Sequence, residues 1–233
     1  MNRTTNIALA ISLTALAATS LPASAVDLRV IGAITPSACT PVLGGGGTID
    51  YGAIHPNSLS ATDYTVLPVM STAFSITCTA PAKVAIVPKN GRMGTLAGAT
   101  EGITGAGAAP AGVQLFGVAG AAVVGLGLDG ADQVGGYALA VLPRSALADG
   151  VPVASINRNA DWSTFVATTT GLLYNHNIDR HTSWAATGTV DPIAFTTFSG
   201  ELQVQAYLNK SAELDLSKPV NLDGLTTIEL IYL

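Results

Sequence analysis

The chain is predicted to be all-β, and three observations in its 233 residues carry that prediction. Gly200-Glu201-Leu202-Gln203-Val204-Gln205-Ala206-Tyr207-Leu208 alternates apolar and polar residues at the period of two that places one face of a strand on a core. Shorter stretches, Phe74 to Cys78, Lys83 to Val87 and Thr226 to Leu233, are extended and rich in β-branched residues. Residues 91–136 hold 14 glycines, a density that rules against a long helix because each interior glycine costs about 1 kcal/mol relative to alanine. Many short strands and few helix signals indicate a sandwich.

The elements follow in order. Residues 1–25 read as a secretory signal peptide: Arg3 supplies positive charge, Ile7 to Ala18 an apolar stretch, and Ala23-Ser24-Ala25 a small-residue cleavage site. Residues 26–38 form an amino-terminal extension in which Val26, Leu28, Val30, Gly32 and Ile34 share one face of an extended strand. Its four larger apolar side chains carry roughly 6–12 kcal/mol of gross burial free energy, so this arm has to pair somewhere. The residues alone leave open whether it pairs with its own domain or with another's.

The domain proper runs over residues 39–233. Gly44 to Gly47 form a turn, after which Thr48 to Gly52 reads as a short strand, and Pro56-Asn57 marks another turn. Within the glycine-rich region the expected strands are Val113 to Phe116 and Tyr137 to Leu142. Phe165 to Thr169 and Ile193 to Phe198 are expected to be strands as well. Two cysteines in an exported chain most simply form one structural disulfide, Cys39 to Cys78. Closing 38 intervening residues is worth roughly 4 kcal/mol in the chain-entropy account.

Composition narrows the function. The formal charge is −5, or −6 once residues 1–25 are removed, and there is no basic patch, so nucleic acid is not an expected partner. Charged residues make up only 11% of the chain, against roughly 25% in soluble domains, which suits a surface buried between subunits. Gly125-Leu126-Gly127-Leu128-Asp129-Gly130 has the spacing of a dinucleotide-binding turn, but that motif needs a preceding strand, a following helix and a parallel-sheet setting, and none of the three is expected here. His176 and His181, with Asp179 between them, suggest a metal only weakly, because their spacing is not that of one helix face; a solvated loop is expected. No Gly-x-Ser-x-Gly elbow occurs. No catalytic residue, metal or cofactor is expected, and the chain is not read as an enzyme.

An alternating amino-terminal arm, cysteines about forty residues apart and a closing strand with a penultimate tyrosine resemble the bacterial chaperone-usher fimbrial subunits. Within that group Val26-Asp27-Leu28-Arg29-Val30-Ile31-Gly32, Asp50-Tyr51-Gly52, and Asn221-Leu222-Asp223-Gly224 through Tyr232-Leu233 are similar to the beta-fimbrial major-subunit family. The likeness covers both ends well and the glycine-rich middle poorly.

That resemblance implies an immunoglobulin-like (pilin-type) β-sandwich lacking its final strand and completed by a donor strand. A periplasmic chaperone would first lend a strand to the groove, and the arm of the next subunit would replace it, with an outer-membrane usher as a further partner. Val26, Leu28, Val30 and Ile34 would fill groove pockets, Gly32 would lie where the groove is shallow, and Ile228, Leu230 and Tyr232 would line the groove and meet the chaperone. The family often carries a glycine at the position of Val220, a departure that bears on the chaperone contacts. Taken alone, Gly32 equally marks a bulge and Tyr232 an ordinary half-buried strand residue. The function expected is a structural subunit of a surface fimbria, exported through the periplasm to the cell surface and polymerising head to tail. The alternatives are a tip adhesin or a secreted lectin-like module that binds a host glycan.

Overall fold

A computed structural model describes residues 29–31 and 37–233. Within them nine strands have four or more residues: β1 (Cys39–Leu43), β2 (Met70–Ala82), β3 (Val84–Asn90), β4 (Ala122–Gly125), β5 (Gly135–Val141), β6 (Val151–Asn159), β7 (Arg180–Ala186), β8 (Phe195–Leu208) and β9 (Thr226–Tyr232). Helical structure among the described residues is confined to 3-10 turns of three or four residues, and no helix is long and apolar enough to cross a membrane.

All pairings between these strands are antiparallel, and they build two arms. One runs β1, β2, β8, β5, β4 and the other β9, β3, β7, β6. The two-residue strand Leu147–Ala148 joins them, pairing with Val151 and Pro152 on one side and with Phe198 and Ser199 on the other. Both arms contribute to one apolar core that contains Phe74, Ile86, Val153, Trp184, Phe198 and Leu202. Trp184 lies 3.8 Å from Phe198, centroid to centroid, while Phe74 and Phe195 pack against this pair at 5.8 and 5.9 Å.

The glycine-rich region has a packing role. Strand β5 is buried along its whole length, with Tyr137, Leu139 and Val141 in the main core and Ala138 and Ala140 in a second cluster with Leu96, Leu115 and Val123. Segments from residues 96–123 therefore cover the outer side of the first arm, and a strand buried on both sides needs small residues on one of them. Gly136 shows why: a Cβ there would lie 2.6 Å from the Leu96 side chain and 2.8 Å from Tyr207.

Several sequence expectations change. Thr48 to Gly52 is not a strand, because Asp50 accepts the Gly52 N–H at 2.7 Å and Gly52 takes φ +66°, a turn that interrupts extension. Only Val166–Ala167 of the expected strand at 165–169 is extended, and only Gln114–Leu115 of that at 113–116. The segments expected at 193–198 and 200–208 form one strand with an irregularity between Phe195 and Thr197. The Gly125 to Gly130 motif leads from β4 into a tight hairpin, Leu128–Asp129 against Asp132–Gln133, and not into a helix. Residues 1–25, expected to be a signal peptide, lie outside the described residues.

Replacing Phe198 with alanine removes the ring that contacts Trp184, Phe74 and Phe195 together. The expected loss of stability is about 3–5 kcal/mol, read from urea unfolding midpoints.

Candidate functional site

Among the described residues strand β9 pairs along one edge, with β3, in a register from Thr226 opposite Asn90 to Tyr232 opposite Val84. The bonds flanking it, Gly91 N–H to the Leu225 carbonyl at 2.8 Å and Leu233 N–H to the Lys83 carbonyl at 3.0 Å, fix which residues point which way. Odd-numbered residues spend their main-chain groups on β3. Thr226, Ile228, Leu230 and Tyr232 turn theirs to the other edge, where no described strand pairs. The side chains of Ile228 and Leu230 are half-buried against the main core.

Strand β1 mirrors this arrangement. Among the described residues it pairs only with β2, from Cys39 opposite Cys78 to Leu43 opposite Phe74. Thr79 N–H donates to the Ala38 carbonyl at 2.9 Å, so Cys39, Pro41 and Leu43 form its free edge. The Cys39–Cys78 disulfide is formed and fastens the start of this edge strand to β2.

An apolar furrow of about 160 Å³ opens beside β9, walled by Ile49, Leu126, Leu202, Val204 and Ile228. Leu43 and Ile228 continue it toward β1, and Leu222 connects it to a wider recess of about 520 Å³ between the 52–59 and 214–222 segments. Val220, where the fimbrial family often has glycine, lines that recess and packs against the core.

A cluster of hydroxyls lies at Thr226, on the wall of the furrow. Tyr137 Oη and Tyr174 Oη lie 2.7 and 2.8 Å from the Thr226 hydroxyl, and both tyrosines are buried. Burial pushes the Tyr137 hydroxyl up to about 12, against an opposing pull from Thr226 and Arg92, and raises Tyr174 still further. Just before β9, Arg92 holds Asp223 bidentately, Nη2 to Oδ1 at 2.7 Å and Nε to Oδ2 at 3.0 Å, which fixes the entry to the strand. That hydrogen bond holds the Asp223 carboxyl below its usual range.

Of the residues named from sequence, Cys39 and Cys78 are bonded, and Ile228, Leu230 and Tyr232 share the free edge of β9. Tyr232 accepts the Cys39 N–H at 2.7 Å. Val30 is described and is 87% exposed, while Val26, Leu28, Gly32 and Ile34 lie outside the described residues. Tyr137, Tyr174 and Thr226 were not singled out from sequence; their spacings of 89 and 52 residues leave no local signal.

No group of three or more His, Cys, Asp or Glu side chains among the described residues could hold a metal. His181 is not in a solvated loop but in β7, directly across from Arg158 on β6 and partly buried. Burial and the Arg158 charge hold its imidazole below the usual value.

A family profile described as "Protein of unknown function (DUF1120)" matches residues 28–128. Protein GltF of Escherichia coli (strain K12) is 28% identical, over 99% of this chain and 97% of that protein. The Uncharacterized protein YhcF of the same organism is 24% identical, over 89% of this chain and 90% of its own length. No solved structure matches the chain significantly.

Thr226→Val leaves two buried tyrosine hydroxyls without their shared partner, so unfolding by urea should show a loss of about 1–3 kcal/mol that Thr226→Ser largely avoids. His181 supplies a pH test. Its imidazole binds a proton less readily when folded, so the unfolded chain protonates first as pH falls below about 6.5, the ordinary value. Stability therefore declines from pH 6.5 downward until the folded form is protonated too, and His181→Gln should flatten that part of the stability–pH curve.

Proposed function

We propose that this chain is an immunoglobulin-like sandwich short of one strand, and that it takes up an extended segment of another molecule between β1 and β9. On this reading it is a structural subunit of a bacterial surface fimbria, delivered by a periplasmic chaperone and polymerised through an usher by donor-strand exchange. The observation that carries the proposal is an edge of β9 that no described strand pairs, beside an apolar furrow that its own Thr226 and Ile228 help to line. An added strand would satisfy both at once, with ladder hydrogen bonds for affinity and side-chain pockets for selectivity.

Strand order supports the same reading. β1 pairs with β2, β2 with β8, β8 with β5 and β3 with β9, the neighbours expected of an immunoglobulin-type sandwich up to its penultimate strand. Among the described residues no further strand lies between the free edges of β9 and β1. The donor segment is residues 26–35 of a second copy. A strand of one molecule filling a slot of the next is a heterologous contact that does not close, so repetition gives a filament.

Deleting residues 26–35 tests this in the purified mature protein by size-exclusion chromatography and electron microscopy. The deletion variant should stay monomeric and should still take up a peptide of sequence 26–35, while the intact chain forms filaments on prolonged incubation. Filaments of the deletion variant equal to those of the intact chain would overturn the proposal.

A further inference from the structure

We infer that Tyr232 is a placeholder for an incoming strand, resting on the strand-uptake function proposed above: its hydroxyl reaches from β9 to the edge of β1, holds that edge, and must let go before a strand can enter. The free edge of β1 has few donors. Cys39 and Leu43 present N–H groups there, and Pro41 between them has none. The Cys39 N–H is satisfied not by a neighbouring strand but by the hydroxyl of Tyr232, from the opposite wall, at 2.7 Å.

The reach of a tyrosine matches the width that one inserted strand needs. Paired strands lie about 4.8 Å apart, so the two neighbours of a central strand are separated by about 9.6 Å. A tyrosine side chain followed by one hydrogen bond covers a distance of that order. Shorter side chains at position 232 would not reach, and direct pairing of β1 with β9 would close the slot.

Both ends of this bridge suit a reversible role. Cys39 is tied to Cys78, and Ala38 beside it exchanges bonds with Thr79, so the far wall stays in place when the hydroxyl leaves. Tyr232 is 51% exposed, and its ring can swing into solvent without unpacking the core. An arriving strand then offers its own carbonyl to the Cys39 N–H, while the main chain of Tyr232 remains free to pair with it. The hydroxyl thus satisfies an edge amide in the empty molecule and slows uptake, with little effect on how tightly the strand is finally held.

The test uses the full mature chain, its Tyr232→Phe variant and a fluorescent peptide with the sequence of residues 26–35, Val-Asp-Leu-Arg-Val-Ile-Gly-Ala-Ile-Thr, followed by anisotropy. Tyr232→Phe should take up the peptide about 2–10-fold faster, the scale of one net hydrogen bond, with a dissociation rate close to wild type. In the peptide-free proteins, exchange of the Cys39 amide should be slow in wild type and fast in the variant. Equal or slower uptake by the variant, or a Cys39 amide indifferent to the substitution, overturns the placeholder role alone. Failure of the wild-type chain to bind the peptide at all removes strand uptake, and the placeholder with it.

Discussion

A main-chain N–H or C=O that leaves water without a partner costs more than most side-chain contacts return. That constraint governs the carboxy-terminal strand. Half the main-chain groups of β9 are spent on β3, and the other half face a furrow lined by Leu126, Leu202 and Val204. An exposed edge beside apolar surface is the arrangement that natural sheets usually blunt with charge, proline or a bulge. Here β9 carries none of these on its inward residues, Thr226, Ile228, Leu230 and Tyr232. The proline sits instead on the facing edge, at Pro41 of β1.

In the proposed strand-uptake reading, the elements on either side keep the slot between β1 and β9 open. The disulfide holds β1 against β2 at the start of its register. Trp184 of β7 packs on Phe198 of β8 and so ties the second arm to the first, while β9 is held by its full register on β3. Pro88 of β3 lacks the N–H that would extend pairing toward β7, and the ladder register between those strands is limited to Thr182 opposite Ile86. The Arg92–Asp223 pair and the Tyr137–Thr226–Tyr174 hydroxyls then fix where β9 begins.

Much of this was legible in the sequence where burial is one-sided. Leu202, Val204, Ala206 and Leu208 alternate because one face of β8 meets the core, and Ile228 and Leu230 do so on β9. The pairing of Cys39 with Cys78 followed from there being two cysteines in a chain read as exported. Strands β6 and β7 were missed because Ser155, Asn157 and Arg158 on one, and His181, Thr182 and Ser183 on the other, break the apolar alternation. Their polar groups are accommodated partly by local bonds such as Ser183 Oγ to the Val84 carbonyl, which no period can reveal. The turn at Asp50 to Gly52 went the other way, as β-prone residues overruled by a side-chain bond. The bridge from Tyr232 to Cys39 joins residues 193 apart and could be found only in three dimensions.

The most direct measurement is residue-resolved hydrogen exchange along β9 in the isolated mature monomer. An open edge predicts alternation, with the amides of Thr226, Ile228 and Leu230 exchanging quickly and those of Thr227, Glu229 and Ile231, bonded to β3, exchanging slowly. Uniformly slow exchange along β9 in the monomer would mean that this edge is already paired, and would contradict the account.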